Sequence, residues 1–580
     1  MKILLDFQVL RSPWSIQTLR RLFHQYRKTF APVNFSDYEA IGRCEQEIPE
    51  YFNFASDVMD KWSQAEKERK RSSNPALWWI NGKGDEMKWS FEELGFLSQK
   101  VANMLSGPCG LQRGDRVLVI LPRIPEWWLV NLACIRTGII IIPGTTQLTA
   151  QDISYRLLAS KAQGIITTDV LAPEVDSVAS KSQFLKTKLI VSQSSRAEWL
   201  NFSDLLKTAP AVHNCVKTKS QDPMAIYFTS GATGSPKMVE HSHGSYGLGF
   251  YVCGRYWLDV THSDIVWNMS DTAWVKAAVG SFFAPWFQGA CVFVHAMPEF
   301  DPTAVLNTLC RYPVTTLCSA PTAYCVLVQH DLTRHTFKAL KHCVAGGEPL
   351  NPEVMAQWKS QTGLTIYEAY GQTETGMVCA NIKGMKIKPG SLGKAAPPYD
   401  VQIVDENGSV LPPGKEGDIA INMSPKRPFP FFTQYVDDPE KTASTIRGNF
   451  YITGDRGSMD EDGYIWFMGR SDDVIISSGY RIGPFEVESA LIQHPAVAES
   501  AVVSSPDPTR GEVVKAFVVL SPSFKSQDLK KLACELQDHV KKVTAPYKYP
   551  RKIEFVQQLP KTVTGKIRRH ELRSKEWGQI

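Results

Sequence analysis

The sequence lacks the cysteine patterns that build metal centres and disulfide frameworks. Its 12 cysteines are scattered from Cys44 to Cys534, and no two of them form a CxxC pair. Several lie in apolar surroundings, as Cys291 does in Ala-Cys-Val-Phe-Val. This distribution predicts buried free thiols of a reducing compartment and argues against zinc sites and disulfides.

An excess of charge is also missing from almost the whole chain, although the net charge is +5. Residues 1–35 contain six of the 64 Lys and Arg and one of the 59 Asp and Glu, which leaves 58 of each sign in the rest. A basic surface for nucleic acid is therefore not indicated.

The charge excess lies where a mitochondrial transit peptide would carry it. In residues 1–35 the apolar side chains Leu19, Leu22, Phe23, Tyr26 and Phe30 recur at helical spacing, and basic residues lie off that stripe. No apolar core typical of a secretory signal precedes a small-residue cleavage site. We expect residues 1–35 to be a transit peptide and the mature protein to lie in the mitochondrial matrix; an ordinary surface helix is the alternative.

A long uninterrupted apolar run is absent as well. The most suggestive stretch, residues 277–297, is broken by Pro285 and by Gln288-Gly289, and Cys-Val-Phe-Val follows. These breakers predict a buried helix, a turn and a strand, and no transmembrane segment.

The chain has no low-complexity tract and no short-period repeat, and its 580 residues suit roughly two to four domains. From about residue 80 to 345, apolar runs such as those starting at Arg116, Ala162 and Lys188 alternate with helical patterns. Continuous apolar strands between helices predict an α/β fold with parallel, doubly wound sheets.

The pattern changes after about residue 390. Shorter strands with Gly, Pro and Asp turns predict a small antiparallel barrel or sheet. The last part predicts a separate α+β unit, with one helix from Pro484 to Ile492 and another whose apolar stripe is Leu529, Leu532, Leu536 and Val540.

The strongest functional motif is a loop rich in glycine and hydroxyl side chains. It directly follows the strand-like Met224-Ala-Ile-Tyr-Phe and has the composition of a phosphate-binding loop, because glycines let backbone N–H groups approach an anion and a lysine adds positive charge. The GxxxxGK[ST] spacing of a Walker loop is absent. The loop comprises Thr229, Ser230, Gly231, Ala232, Thr233, Gly234, Ser235, Pro236 and Lys237.

This loop resembles the phosphate loop of the adenylate-forming superfamily, which includes acyl-CoA synthetases, luciferases and adenylation domains. Further segments resemble its other motifs, in order, over roughly residues 50 to 575. They are Gly346-Gly-Glu-Pro, Tyr367-Glu-Ala-Tyr-Gly-Gln-Thr-Glu374, Tyr451-Ile-Thr-Gly-Asp455, Gly469-Arg-Ser-Asp-Asp-Val-Ile475 and Pro560-Lys-Thr-Val-Thr-Gly-Lys566.

The chain is most similar to mitochondrial medium-chain acyl-CoA synthetases, notably in Phe52-Asn-Phe-Ala-Ser-Asp, Pro125-Glu-Trp-Trp-Leu-Val and Thr544-Ala-Pro-Tyr-Lys-Tyr-Pro-Arg551. The resemblance implies a large domain over 36–470, with two doubly wound sheets and a small β-barrel at about 390–470. A hinge at 471–473 and a mobile α+β domain at 474–580 would follow. The substrates would be ATP, CoA and a medium-chain fatty acid, with a short-chain acid as the alternative, and the chain would be a monomer or small homo-oligomer.

The same resemblance implies roles in forming an acyl adenylate. Lys566 would offset charge at the α-phosphate, Thr373 would contact that phosphate and the acid, and Glu374 would bind Mg²⁺, with Mn²⁺ as an alternative. ATP would be bound by residues 229–237, by Lys566 and by Glu368, Ala369, Tyr370, Gly371, Gln372, Thr373, Asp455 and Arg470, with Asp455 on the ribose and Tyr370 on adenine.

Transfer to CoA would follow rotation about Asp472. The implied CoA contacts are Gln147, Ser478, Gly479, Tyr480, Arg510, Lys541, Tyr549, Pro550 and Arg551, and their basic members suit phosphate groups. The acyl substrate would lie against Arg481, Trp274, Gly346 and Gly347. Because an apolar pocket separates acids that differ by one methylene by only about 1–3 kcal/mol, the preferred chain length does not follow from these residues.

One position departs from the family pattern. Ala232 stands where the family's loops usually carry Thr, which puts the rate in doubt more than the reaction. Two alternatives stay open: another adenylating enzyme, such as an oxidative luciferase or a carrier-loading domain, and a catalytically silent carboxylate- or nucleotide-binding protein. The basic region from Lys541 to Arg551 favours free CoA, and the retained Glu374, Asp455 and Lys566 favour catalysis.

Overall fold

The structure, a computed structural model, describes residues 32–71, 74–229, 236–471, 473–477, 480–508, 510–561 and 567–578. Within those residues the strands are β1 (Leu77–Ile80), β2 (Glu86–Trp89), β3 (Arg116–Val119), β4 (Ile140–Pro143), β5 (Gly164–Thr168), β6 (Thr187–Val191), β7 (Leu200–Asn201), β8 (Pro223–Thr229), β9 (Lys237–Ser242), β10 (Ile265–Asn268), β11 (Cys291–His295), β12 (Thr316–Ser319), β13 (His342–Gly346), β14 (Ile366–Gln372), β15 (Gly376–Ala380), β16 (Lys394–Ala395), β17 (Val401–Val404), β18 (Glu416–Asn422), β19 (Gln434–Tyr435), β20 (Ile446–Arg447), β21 (Phe450–Met459), β22 (Ile465–Arg470), β23 (Ile475–Ser477), β24 (Tyr480–Ile482), β25 (Val497–Asp507), β26 (Gly511–Leu520) and β27 (Lys552–Phe555).

The α-helices of the same residues are α1 (Ser36–Gly42), α2 (Asp60–Lys67), α3 (Phe91–Ser106), α4 (Pro125–Thr137), α5 (Ala150–Ser160), α6 (Ala172–Ala179), α7 (Phe202–Thr208), α8 (Val275–Ala278), α9 (Ala284–Phe287), α10 (Pro302–Arg311), α11 (Pro321–Leu327), α12 (Pro352–Thr362), α13 (Pro439–Ser444), α14 (Pro484–Ile492), α15 (Leu529–Val543) and α16 (Arg569–Glu576). Shorter π or 3₁₀ segments lie at Ala55–Met59, His243–Leu248, Cys253–Trp257, Val279–Phe283, Leu332–Arg334, Pro522–Phe524 and Pro546–Lys548.

Two large mixed sheets form the first part of the chain. One has nine strands in the order β16-β15-β14-β13-β12-β10-β11-β1-β2, and the other has eight in the order β19-β9-β8-β4-β3-β5-β6-β7. The inner strands are parallel, and antiparallel pairs lie at the edges. Strands such as β4, β10 and β13 are buried at every residue, because helices or the other sheet cover both faces. The predicted α/β class is confirmed.

The helices begin and end where local chemistry favours it. Ser90 and Glu93 form a capping box before α3, and Thr149 and Asp152 form another before α5. Helix α4 ends at Gly138, whose φ of 70° is left-handed and costs glycine little. One apolar core then joins the two sheets, and indole N–H groups cross it: Trp128 Nε1 donates to the Ser281 carbonyl at 2.7 Å.

The apolar stretch 277–297 consists of α8, a π segment, α9, a turn and β11, as the breakers predict. The turn is at Gly289, where φ is 69°. Among the described helices, none has both the length and the apolar character that crossing a bilayer needs. All 12 cysteines are free thiols, and the majority are buried.

The part from about residue 390 to 470 forms a five-stranded antiparallel sheet, β17-β18-β21-β20, with β22 also paired to β21. Of the two alternatives left open by the sequence, the sheet is therefore the better description. A second five-stranded sheet, β24-β23-β26-β25 with β27 on β26, packs against α14 and α15. Both helices have the predicted residues, and the stripe Leu532, Leu536 and Val540 is buried while Leu529 is exposed.

The described chain begins at Pro32, so nearly all of the expected transit peptide lies outside the described residues. Phe35, the last residue assigned to that peptide, is in the core. Its ring lies against Trp62 and Phe287, with centroids 6.0 and 5.5 Å apart. A leader removed before Phe35 would leave this packing intact.

Candidate active site

The ends of the predicted phosphate loop are held by a strand pair. Thr229, the last residue of β8, pairs with Lys237, the first of β9. Residues 230–235, which include Ala232, lie outside the described residues. The carbonyl of Pro236 accepts the Tyr155 hydroxyl at 3.1 Å, and Lys237 Nζ lies 5.4 Å from the ring centroid of Tyr435.

A buried carboxylate lies where β21 meets the end of β14. Asp455 is 4% exposed, and its Oδ2 accepts the Tyr370 hydroxyl at 2.5 Å and Gln372 Nε2 at 2.9 Å. Asp455 pairs in register with Arg470, whose Nε is 3.4 Å from Oδ1. Gln372 also donates to the Thr453 carbonyl at 2.7 Å. The structure thus brings together Tyr370, Gln372, Asp455 and Arg470, which the sequence assigned to one nucleotide site.

Glu374 follows β14 and is held by β19 and the segment before it. The Tyr435 hydroxyl donates to Glu374 Oε1 at 2.7 Å, and the Phe432 N–H donates to the Glu374 carbonyl at 2.7 Å. Burial, and then the Glu374 carboxylate, raise the pKa of Tyr435 well above its usual value, so the hydroxyl remains a donor. The carboxylate therefore has a fixed orientation beside Lys237 and Tyr435.

The donor set at Glu374 suits a cation that is bound mainly by substrate. No group of three or more His, Cys, Asp or Glu that could hold a metal ion by itself occurs within the described part of the chain. Mg²⁺ is commonly bound through one or two carboxylates together with substrate phosphates. A single oriented carboxylate next to the ends of a phosphate loop fits that mode of binding.

Glu368 is fully buried on β14, and its Oε1 accepts the Leu350 N–H at 2.9 Å. Burial raises the pKa of Glu368 to about 8, partly opposed by that hydrogen bond. The carboxyl group ties β14 to the segment after β13. Ala369 and Gly371 lie further along β14, which ends at Gln372, just before the turn that contains Thr373.

The expected acyl pocket lies at the carboxyl ends of β12 and β13. Trp274 precedes α8, and its indole Nε1 is buried without a hydrogen-bond partner in the described structure. Lys276, two residues on, donates to the carbonyl of Gly346 at 2.8 Å and to that of Ser319. Gly347 has a φ of 96°, which favours glycine. Ligands in open α/β sheets bind outside such strand ends, so the region around these residues is a candidate binding site.

Aromatic and basic side chains from β24, from α15 and from the segment that follows α15 contact one another in the C-terminal part. The exposed rings of Tyr480 and Tyr547 stack with centroids 4.5 Å apart. Lys541 Nζ lies 4.5 Å from the Tyr549 ring, and Arg551 donates to the Tyr549 hydroxyl at 2.7 Å. Three of the expected CoA contacts, Lys541, Tyr549 and Arg551, thus contact one another, and the cationic heads are suited to phosphate groups.

The remaining expected residues are less informative. Gln147 is exposed after β4, and the Arg510 N–H donates to Asp507 at 2.9 Å. Pro550 is buried and its carbonyl accepts Gln537 Nε2 at 3.0 Å. Arg481 is placed only through its backbone on β24. Asp472, Ser478, Gly479 and Lys566 lie outside the described residues.

The two ends of segment 562–566 are nevertheless described. Lys561 and Ile567 form an isolated antiparallel bridge, so the described residues on either side of this segment are paired with each other. Burial raises the pKa of Cys325 to about 12, and the nearby Lys561 ammonium partly lowers it. Cys325 is on α11, directly after β12. The Lys561 ammonium, which pairs with Glu499 at 2.6 Å, therefore lies near α11.

Five contacts in this region were not predicted from the sequence: those of Tyr435, His241, Tyr246, Lys276 and Tyr547. His241 Nε2 and the Tyr246 hydroxyl both donate to the Thr373 carbonyl. Two of these residues have a local signal in the sequence. Lys276 lies two residues after Trp274, an expected pocket residue, and Tyr547 lies two residues before Tyr549, an expected CoA contact. Tyr435 is 61 residues from Glu374 in sequence, and no pattern links them.

Comparison with known families agrees with these observations. A profile described as AMP-binding enzyme matches residues 64–424, and one described as AMP-binding enzyme C-terminal domain matches residues 486–566. The mitochondrial acyl-coenzyme A synthetase ACSM4 of Mus musculus is 65% identical over 579 residues, which cover 100% of both chains. The mitochondrial acyl-coenzyme A synthetase ACSM3 of Homo sapiens is 64% identical and covers 97% of this chain and 96% of its own.

Solved structures are similar as well. The anthranilate CoA ligase AuaEII, solved with anthranoyl-AMP, has a TM-score of 0.83 at 29% identity and covers 92% of this chain and 99% of its own. ATP-bound MatB from Rhodopseudomonas palustris has a TM-score of 0.78 at 27% identity, covering 89% and 99%.

Proposed function

The chain belongs to the AMP-binding enzyme family, among its mitochondrial acyl-coenzyme A synthetases, and we propose that it activates a medium-chain fatty acid with ATP and transfers the acyl group to CoA. It is an acid–thiol ligase and a mitochondrial protein. The predicted family and the predicted enzyme class are confirmed. The location in the mitochondrial matrix, the preference for medium-chain acids and the roles of the site residues stay proposals.

One observation carries the assignment of the nucleotide site. Tyr370, Gln372 and Arg470 surround the buried Asp455 carboxylate, and Glu374 stands two residues beyond Gln372 with its carboxylate fixed by Tyr435. One carboxylate suits paired ribose hydroxyls, and the other suits a cation on the phosphates. A protein that bound only a carboxylic acid would need neither of them.

In the first step a carboxylate oxygen of the acid forms a bond to the α-phosphorus of ATP, and the bond from that phosphorus to the pyrophosphate oxygen breaks. Enzymes promote such transfers mainly by positioning the reactants and neutralising charge. Residues 229–237 would hold the outer phosphates, Thr373 the α-phosphate and Lys566 the charge that develops there.

Glu374 would hold Mg²⁺, or Mn²⁺ in its place. The bound ion would supply positive charge to the phosphate oxygens. The chain's own contribution is orientation: the Tyr435 hydroxyl fixes one carboxylate oxygen, and the backbone N–H of Phe432 fixes the carbonyl of the same residue.

In the second step the sulfur of CoA bonds to the acyl carbonyl carbon, the bond from that carbon to the AMP oxygen breaks, and the thiol proton goes to solvent. Tyr480, Lys541, Tyr549 and Arg551 would bind CoA together with Gln147, Ser478, Gly479, Arg510 and Pro550. Domain 474–580 would turn about Asp472 in the hinge 471–473 between the two steps, relative to the domain of residues 36–470.

The acid would lie against Trp274, Gly346 and Gly347, with Thr373 and Arg481 at its carboxyl end. Lys276 holds the carbonyls of Ser319 and Gly346, so it would fix the wall of this pocket. A monomer or small homo-oligomer stays part of the proposal.

A coupled assay of AMP release tests this function. It would use purified protein, Mg-ATP and a graded series of straight-chain carboxylic acids, with and without CoA. We expect release that requires both the acid and CoA for turnover and is greatest at medium chain length. Release that is absent with every acid would refute the enzyme assignment, and a maximum at another length would refute only the chain-length proposal.

A further inference from the structure

The turn after β14 is held from the core side by two buried side chains. His241, at the end of β9, and Tyr246, in the π segment that follows, are both 0% exposed. His241 Nε2 lies 2.7 Å from the Thr373 carbonyl oxygen, and the Tyr246 hydroxyl lies 2.6 Å from the same oxygen. One carbonyl thus accepts two hydrogen bonds from residues more than 120 positions away in sequence.

The chemistry of the partners fixes the donors. A carbonyl can only accept, so Nε2 of His241 carries the proton, and Nδ1 then accepts the Ser245 hydroxyl at 3.0 Å. Burial lowers the pKa of His241 to about 3, which keeps the ring neutral. The His241 and Tyr246 rings also stack with centroids 3.5 Å apart, so each ring limits the movement of the other.

The same two hydrogen bonds set the direction of a backbone donor. In a planar trans peptide the C=O and the following N–H point in opposite directions. Because the Thr373 carbonyl points into the core, the Glu374 N–H points away from it. Within the described residues no group accepts a hydrogen bond from this N–H. A backbone donor needs a partner, which here is left to solvent or a ligand.

We propose that His241 and Tyr246 are positioning residues that orient the Thr373–Glu374 peptide so that the Glu374 N–H donates to an α-phosphate oxygen of ATP. The proposal rests on the proposed function, since it assigns a donor to the same adenylation step. Neither side chain touches the substrate. Both act through the peptide, whose dipole is aimed in advance at the oxygen on which charge develops.

Two substitutions remove the donors and keep the rings. Tyr246→Phe deletes the hydroxyl, and His241→Phe deletes the N–H while preserving a ring for stacking. We expect each to lower kcat for adenylation by about tenfold, with little change in the KM for ATP, because ribose and outer-phosphate contacts are untouched. His241→Gln can place an amide N–H near the position of Nε2 and should recover part of the rate.

The matched control is Tyr324→Phe. Tyr324 is likewise fully buried, and its hydroxyl lies 3.2 and 3.3 Å from the carbonyls of Leu317 and Val344 in the core of the nine-stranded sheet. Its loss should lower the melting temperature about as much as Tyr246→Phe does. We expect kcat for adenylation to stay within about twofold of the wild type.

The decisive readout uses ATP in which sulfur replaces one non-bridging α-phosphate oxygen, as each diastereomer. Wild-type protein should adenylate more slowly with the diastereomer whose sulfur replaces the oxygen facing Glu374 than with ATP. This rate penalty should largely disappear in Tyr246→Phe and His241→Phe but not in Tyr324→Phe. An unchanged penalty in both variants, or an equal loss of rate in the control, would overturn the proposal. Wild-type protein inert with every acid would instead refute the proposed function, and this inference with it. If His241→Phe fails to fold, Tyr246→Phe alone decides.

Discussion

Replacing Asp455 by Asn would test the nucleotide site most sharply among single substitutions. The carboxylate is buried, and its geometry is set by Tyr370 at 2.5 Å and Gln372 at 2.9 Å on Oδ2 and by Arg470 at 3.4 Å from Oδ1. Asparagine has nearly the same shape but no charge, and its NH₂ group would face one of these donors. Because the shape is kept, the fold should survive, while residue 455 becomes a weaker hydrogen-bond acceptor.

The size of the effect follows from the hydrogen bonds at risk. A hydrogen bond to a charged group contributes about 1.5–3 kcal/mol, and two ribose hydroxyls would be bound by the carboxylate. If both hydrogen bonds lose their charged acceptor, the cost at the lower end of that range is about 3 kcal/mol. This corresponds to a decrease of roughly a hundredfold in kcat/KM for ATP. The loss should appear mainly in ATP use and leave the acid's KM nearly unchanged.

The assay is steady-state AMP release with ATP, 2′-deoxy-ATP and 3′-deoxy-ATP. Wild-type protein should discriminate against each deoxy analogue, and Asp455→Asn should lose most of that discrimination. Asp460→Asn is the control, because Asp460 also lies in the antiparallel part of the chain and accepts Lys388 at 2.7 Å and Trp466 at 3.1 Å. If Asp455→Asn kept full discrimination, or lost no more kcat/KM than the control, the ribose assignment would be wrong.

Lys566→Ala should greatly slow formation of the acyl adenylate and spare CoA transfer from preformed adenylate, measured as separate half-reactions; equal losses in both would indicate a structural lysine. Ala232→Thr should raise the adenylation rate by at most about tenfold, because one hydroxyl contributes one net hydrogen bond; an inert wild type rescued by several orders of magnitude would favour the silent-binder alternative. Glu368 binds its proton more tightly folded than unfolded, so folded-state stability should fall as pH rises from about 4.5 to 8, and Glu368→Gln should flatten this slope in thermal melts; a slope unchanged by the substitution would contradict the buried carboxyl. Sequencing of the mitochondrial protein should find its N-terminus after about residue 20 and no later than Phe35, whose ring packs in the core; a start at Met1 would exclude a cleaved leader.

Elements with strong local signals were predictable from the sequence. Helix α14 has the predicted bounds, and the stripe of α15 is buried, because apolar spacing alone specifies which face of a helix is covered. The broken stretch 277–297 became helix, turn and strand because the turn at Gly289 ends the helical run locally, whereas Pro285 lies inside that run, in α9. The ordered motifs predicted which segments would meet at one site, since the order of segments along the chain needs no knowledge of their packing.

Contacts between distant segments were not predictable. The Tyr435 hydroxyl reaches Glu374 only because β19 pairs with β9, which brings residue 435 beside Lys237. His241 meets Thr373 across 132 residues. Tyrosine and histidine are common in cores, so nothing local distinguishes these two from packing residues. The choice between barrel and sheet likewise depended on strand pairing, which alternation alone does not determine.

The proposed mechanism requires an acyl adenylate to form before CoA takes part. Exchange of labelled pyrophosphate into ATP tests this most directly, because it requires the first step to run forward and back. We expect exchange that depends on a medium-chain fatty acid and proceeds without CoA. Exchange that needs CoA, or that does not occur with any carboxylic acid while AMP is still released, would contradict the two-step mechanism.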